Sequence, residues 1–304
     1  MIAVNINAGL ANQMFHYAFG CGLKAKGLDV CYDLTNFKPR NQWAFEDISL
    51  RDAFPNIEIN QMPEGYFRWV CAENTCKNKI IKKIAKYART LHNLIGDETY
   101  ITEPNYAYQE GIEQRATKNC IFKGFWQSEK YFKHCVDDVR RQFVFLPFDE
   151  PKNIEISKKM SIENSVAIHL RKGKDYLQSE LMGKGLCTAD YYMAAIDYMY
   201  KHVDNPSFYV FTDNPQWVKD NLPKFDYTLV DWNKVSGKRS FRDMQLMTCA
   251  KHNIIGNSTY SWWGAWLNPN PDKIVIAPTK FFNPVDVFFS KQDIVCDNWI
   301  KMEG

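Results

Sequence analysis

Short apolar runs alternate with longer stretches of helical period along most of the chain. "IAVNIN" (2–7) reads as a strand. "NQMFHYAFGCGLKAKG" (12–27) reads as a helix that stops at a glycine, and "LDVCYDL" (28–34) as a second strand. This β–α–β opening is the start of a parallel sheet. From about Phe37 to Glu110 the pattern is irregular and rich in aromatic and turn residues. Ile121–Phe125 is the next strand, followed by a turn and a helix running towards Phe143. "FLPFDEPKN" (145–153), with two prolines, reads as a crossover between halves.

The second half keeps the same rhythm. Val166–Leu170 is a strand, "ADYYMAAIDYMYKHV" (189–203) a helix, and "SFYVFTDNPQWVKDNL" (207–222) a strand, a turn and a helix. "YTLVDWN" (227–233) is a strand. Residues 240–268 hold a helix, a strand and a second helix, and "KIVIAP" (273–278) is the last strand. Strands alternating with helices predict an α/β, Rossmann-like organisation. With 304 residues, two domains are expected. The boundary is placed between Leu146 and Asn164, which gives domains 1–155 and 156–304.

Composition changes this picture little. Hydrophobic residues make up 45% and charged residues 24%, and the net charge is +3, so charge alone does not point to nucleic acid. One segment stands apart. Residues 77–95 carry Lys77, Lys79, Lys82, Lys83, Lys86 and Arg89 with no acid. Ile80, Ile81, Ile84, Ala88, Leu91 and Ile95 recur at helical spacing within it. A basic amphipathic helix of this kind can lie on anionic lipid or pack on its own domain. No run approaches the roughly 20 apolar residues of a membrane span. The N-terminus reads as a strand and not as a signal peptide. The nine cysteines are odd in number and lack zinc spacing, so scattered reduced thiols are expected. The expected location is cytoplasmic, with peripheral contact to a bacterial inner membrane through residues 77–95.

The candidate chemistry sits at strand ends. Val166–Leu170 runs into Arg171 and Asp175, Phe208–Phe211 into Thr212 and Asp213, and Asn253–Ile255 into Gly256, Asn257, Ser258 and Thr259. In a parallel sheet these ends face one crevice. Small residues from Gly256 to Thr259 let backbone N–H groups approach a ligand, and the helix that follows points its N-terminus there, a setting that holds phosphate. Arg171 adds a planar fork suited to phosphate oxygens. Each feature alone has a plain alternative: a solvated basic loop, tryptophan packing, a core histidine at 169. Together they describe a diphosphate site. A P-loop, a G-x-G-x-x-G after the first strand and an Asp-x-Asp pair are all absent from the sequence. The expected grip is therefore cationic and metal-free.

"GLANQMFHYA" (9–18), "HLRKGKDY" (169–176), "FTDNPQWV" (211–218) and "GNSTYSWWGAW" (256–266) together resemble the α-1,2-fucosyltransferases, glycosyltransferase family 11, bacterial type. The resemblance implies a GT-B fold, two Rossmann-like domains facing a central cleft, with the acceptor on the N-terminal side and GDP-β-L-fucose on the C-terminal side. It implies inverting transfer to the 2-hydroxyl of a terminal β-galactoside, possible lipid linkage of that acceptor, and no metal or other cofactor. By the same resemblance, Arg171 grips the diphosphate, His169 and Asp243 contact guanine, and Ser258 and Thr259 meet the phosphates. Asn257, Ser261 and Lys172 join the donor-binding set, Asp213 lines or orders the donor site, and Asn12 lies near the reacting centre. Asp175 is the leading candidate base, with Glu180 and His16 behind it. The chain departs from the family pattern at Ala11, Lys172 and the extra Lys174. Rival readings are a GT-B transferase of another donor or linkage, and a non-catalytic glycan- or nucleotide-binding protein. Trp43, Phe45, Tyr66, Phe67, Trp69 and Trp126 are candidates to stack on acceptor sugars, or to be core.

Overall fold

The computed structural model describes residues 1–37, 49–63, 78–94, 100–116, 119–222 and 225–303. The chain forms two compact units, Met1–Val144 and Phe145–Gly304. The break precedes the expected 155/156 boundary, which would cut helix Pro151–Ile162 in two. That helix belongs to the second unit because Ile156 and Met160 pack with Ala167, Tyr209 and Phe211 of its sheet. Proline at its first turn supplies a helical φ and lacks an N–H that would have no partner there.

The first unit holds a parallel sheet of four strands: β1 (Ile2–Asn5), β2 (Val30–Asp33), β3 (Tyr100–Thr102) and β4 (Cys120–Lys123), in the order β2-β1-β4-β3. β1 and β2 are buried along their whole length, which is why they read as continuous apolar runs and not as alternating ones. Helix Leu10–Ala25 covers the sheet, and Gly27 follows its C-terminus at φ +84°, a left-handed position suited to glycine. Trp126 lies in this core: it is fully buried and stacks on Phe19 at 4.3 Å. It is therefore a packing residue and not a sugar platform. Trp43, Phe45, Tyr66, Phe67 and Trp69 lie outside the described residues.

The second unit holds a six-stranded parallel sheet, β5 (Ser165–Leu170), β6 (Ser207–Thr212), β7 (Tyr227–Val230), β8 (His252–Ile254), β9 (Val275–Pro278) and β10 (Ile300–Met302). Its order is β10-β9-β8-β5-β6-β7. The chain builds outward from β5 through β6 to β7, then returns to add β8, β9 and β10 on the other side. β5 and β8 therefore flank the point where the strand order reverses, the usual ligand position of an open α/β sheet. Helix Thr259–Leu267 closes the far side with Trp262, Trp263 and Trp266, and the Trp262 indole N–H donates to Ile294 O at 2.6 Å. Among the described residues no helix is long and apolar enough to cross a membrane.

Candidate active site

Strand pairing sets the centre of the site. β5 and β6 run in parallel register with Leu170 opposite Thr212, so the next residues, Arg171 and Asp213, emerge side by side. Arg171 Nη1 lies 2.6 Å from Asp213 Oδ2, and Nη2 lies 3.0 Å from Asp175 Oδ2. Asp213 Oδ1 accepts the N–H of Lys172 at 2.7 Å. The guanidinium is thus fixed by two carboxylates from different loops, with its Cζ 5.3 Å from the Tyr176 ring. Gly173 makes this possible: a Cβ there would stand 2.5 Å from Asp213 Oδ2 and 2.7 Å from Asp175 Oδ1.

Asp213 also lines a cavity of about 380 Å³ at the ends of β6 and β7, together with Thr212, Asp231, Asn233, Ser236 and Asp243. That volume is within the range of small-molecule sites. Asp243 opens helix Arg242–Met247, and Asn233 Nδ2 donates to its Oδ1 at 2.8 Å. Burial raises the Asp243 carboxyl to about 6, only partly offset by that hydrogen bond. His169, the penultimate residue of β5, is buried, and its Nδ1 has no hydrogen-bond partner among the described residues. Burial, reinforced by the Arg171 charge, pushes its pKa down to about 3, so the ring is neutral. A buried polar atom without a partner needs a reason, and a ligand is one.

The end of β8 lies beside the end of β5, its strand neighbour on the other side from β6. Gly256 N–H donates to His169 O at 3.1 Å, and a Cβ at 256 would stand 2.7 Å from the Tyr192 hydroxyl. Ser258 caps helix Thr259–Leu267 by accepting the Tyr260 N–H at 3.3 Å, which directs the helix N-terminus, Thr259 included, at this edge. Tyr260 ties that turn to its neighbour, accepting from Met244 N–H and donating to Ser240 O.

Three residues expected in the donor-binding set turn inward. The Lys172 ammonium is buried, donates to Leu186 O at 3.2 Å and lies 4.7 Å from the Trp217 ring centre. Asn257 Nδ2 donates to Met182 O and Phe281 O, so its side chain brackets two loops. Ser261 Oγ is fully buried and donates to Ser258 O at 2.9 Å. Each side chain has an internal partner where a ligand contact was expected. Of the other base candidates, Glu180 is exposed, its backbone carbonyl accepting from Asn283, and His16 is buried in the first unit.

The first unit has its own polar edge. Asn12 Oδ1 accepts from Gln127 Nε2 at 2.9 Å. His16 Nδ1 accepts from Asn7 N–H, and burial lowers its pKa to about 3. Glu103, just beyond β3, accepts the N–H groups of Phe125 and Trp126 at 2.7 and 3.1 Å, yet burial still lifts its pKa to about 7. The sequence reading missed Glu103, Gln127, Asp231 and Asn233. Asp231 and Asn233 follow β7, so the strand-end rule applied to a fourth strand would have found them.

The family model for glycosyl transferase family 11 matches residues 65–303. An alpha-1,2-colitosyltransferase of Escherichia coli is 29% identical over 311 residues, covering 100% of this chain and 99% of that protein. The Escherichia coli O-antigen biosynthesis glycosyltransferase WbnK is also 29% identical, over 98% of this chain and 99% of its own. Human galactoside alpha-(1,2)-fucosyltransferase 1 is 24% identical over 153 residues, 47% of this chain and 42% of that one. Among solved structures, the Bradyrhizobium fucosyltransferase NodZ superposes with a TM-score of 0.51 at 14% identity, over 86% of this chain and 90% of its own. An Arabidopsis thaliana FUT1 mutant in complex with GDP gives 0.50 at 11%, over 91% and 70%. At such identities the likeness shows the fold: α/β, of the GT-B type.

Proposed function

The chain belongs to glycosyl transferase family 11, and on that premise we propose that it moves L-fucose from GDP-β-L-fucose to the 2-hydroxyl of a terminal β-galactoside. The product is α-1,2-linked, with inversion at the anomeric carbon. The observation that carries this reading is the Arg171 fork, held 2.6 Å from Asp213 where the strand order reverses and joined through Asp213 to a cavity that Asp243 also lines. As the bond from C1 to the β-phosphate oxygen breaks, negative charge builds on the diphosphate, and a preorganised guanidinium acts where that charge develops. The N-terminal turn at Ser258 and Thr259 adds backbone dipole at the same edge. In this reading Asp243 and the neutral His169 contact the base, which the buried Nδ1 of His169, without a partner among the described residues, supports. Asp175 is bound to the same fork, so in this reading it holds Arg171, while Asn12 stands on the acceptor side. No metal is invoked, because the grip is cationic.

Names of relatives support the class of acceptor: two are an O-antigen biosynthesis enzyme and a galactoside fucosyltransferase. A galactose-terminated unit of a surface polysaccharide fits both. A second reading, transfer of colitose in the same linkage, is favoured by the full-length likeness to a colitosyltransferase. The test is a set of reactions in excess chelator with GDP-fucose or a colitosyl donor and a panel of β-galactosides, followed by linkage analysis. Thermal shifts with GDP, UDP and CMP run alongside, since a ligand bound only by the native state raises its stability. Selective stabilisation by GDP and an α-1,2-fucosyl product are expected. Stabilisation by UDP, a requirement for added Mn²⁺ or Mg²⁺, or another linkage would reject the proposal.

A further inference from the structure

Among its described side chains, helix Lys79–Leu94 is covered by its own unit only along a narrow stripe. Ala85 is 7% exposed and Ala88 is half-buried, whereas Ile80, Ile84, Tyr87 and Leu91 are 69, 62, 67 and 61% exposed. These four follow the spacing i, i+4, i+7, i+11, which places them on one face, pointing to solvent. Ile81, on the same side as the alanines, is 46% exposed. Lys79, Lys82, Lys83 and Lys86 are exposed on the other side, and the helix contains no acid. A contiguous apolar face of this kind on a described surface marks an interaction site.

We propose that this helix seats the first unit on an anionic membrane surface, with Ile80, Ile84, Tyr87 and Leu91 at the acyl boundary and the lysines among the headgroups. The charge decides the occupant. A second copy of the chain would bring two faces flanked by like charges together without an acid to pair them. A neutral partner would leave the lysines unused, whereas anionic headgroups take both halves of the helix at once. The helix is too polar to span the bilayer and lies in its plane. An enzyme that modifies a lipid-linked glycan gains from this placement, because the acceptor is then confined to the same surface.

The test is co-sedimentation of the full chain with vesicles of phosphatidylcholine alone or mixed with phosphatidylglycerol, at low and high salt. Two double variants accompany the wild type, Ile80→Ser with Ile84→Ser and Lys82→Glu with Lys86→Glu. Thermal unfolding is the folding control, and light scattering reports self-association. The wild type is expected on mixed vesicles only, and released by salt as the headgroup attraction is screened. Each double variant should bind roughly tenfold or more weakly with an unchanged unfolding midpoint, because the altered side chains are exposed. Absent binding, equal binding to neutral vesicles, or binding that neither variant weakens would overturn the proposal. A dimer lost in the isoleucine variant, without vesicle binding, would assign the face to a second copy instead.

Discussion

Arg171 and Asp213 meet at 2.6 Å across the ends of two strands paired in register, so the position of the guanidinium is set by backbone pairing and by a carboxylate one strand away. The acid does two things at once: it holds the fork through Oδ2 and the loop through the Lys172 N–H. Its charge opposes any anion brought to the fork. Asp213→Asn should therefore lower kcat by about 10- to 100-fold through a misplaced guanidinium. The dissociation constant for GDP should stay level or tighten, because a like charge has been removed. Steady-state kinetics with calorimetry separate the two, and an unchanged kcat would deny Asp213 a positioning role.

Gly173→Ala tests the close approach directly. The backbone at Gly173 has φ −61° and ψ 159°, which alanine adopts without strain, so the added methyl acts only on its neighbours. It would drive apart Asp213 and Asp175, whose oxygens lie 2.5 and 2.7 Å from the new Cβ. The variant should fold and keep its unfolding midpoint, while kcat falls through the displaced guanidinium as it does in Asp213→Asn. An unchanged kcat in Gly173→Ala would show that the pair of carboxylates has no part in positioning the fork.

Asp243 gives the site a pH dependence of known sign. Burial raises its carboxyl to about 6 in the free protein. As carboxylate it can accept the two N–H groups of a guanine edge; as acid it loses one of those acceptors. GDP affinity should therefore fall as pH drops through about 6, by roughly tenfold at one unit below. Asp243→Asn should bind GDP weakly with a flat profile. Calorimetry from pH 5 to 8 checks this, and a flat wild-type profile would remove Asp243 from base recognition.

Stability should respond to pH through opposed groups. His16 moves from 6.5 unfolded to about 3 folded, so the native state holds fewer protons between those values and loses stability as pH falls below 6.5. Glu103 moves from 4.5 to about 7, so the native state holds more protons in that window, and stability is lost as pH rises through 7. Relative to wild type, His16→Gln should become more stable on acidification from pH 6.5, by about 1.4 kcal/mol per unit, while Glu103→Gln should become less stable from pH 7 to 4.5. Urea unfolding at several pH values reads both slopes. Slopes of the same sign would contradict the burial of one of the two groups.

The cluster at the ends of β5 and β8 was legible because the apolar β5 ends abruptly in charged residues and β8 runs into a series of small ones, a contrast expected of strand ends at a crevice. Side-chain direction was not legible. Lys172 follows Arg171 by one residue, yet the alternation of the extended backbone turns it towards Leu186 O and Trp217. Asn257 and Ser261 share a loop with Ser258 but serve as brackets within it. Strands β3 and β10 have three residues each, too few to show a period of two, so Glu103 beyond β3 had no element to belong to. The break between the units was hidden for a different reason. Arg242 binds Asp149, Glu150 and Leu146 O, contacts some 90 residues apart that draw the segment after Val144 into the second unit.

If Arg171 neutralises the departing diphosphate, kcat/KM for GDP-fucose should respond to Arg171→Lys and Arg171→Ala, measured with circular dichroism as the control on folding. Lysine keeps the charge but lacks the fork that Asp213 and Asp175 hold. Both variants should fold and both should lose about 10² to 10³ in rate, the usual cost of one donor at a developing anion. Folded variants within about fivefold of wild type, small beside that cost, would show that the Arg171 fork does not carry the departing charge.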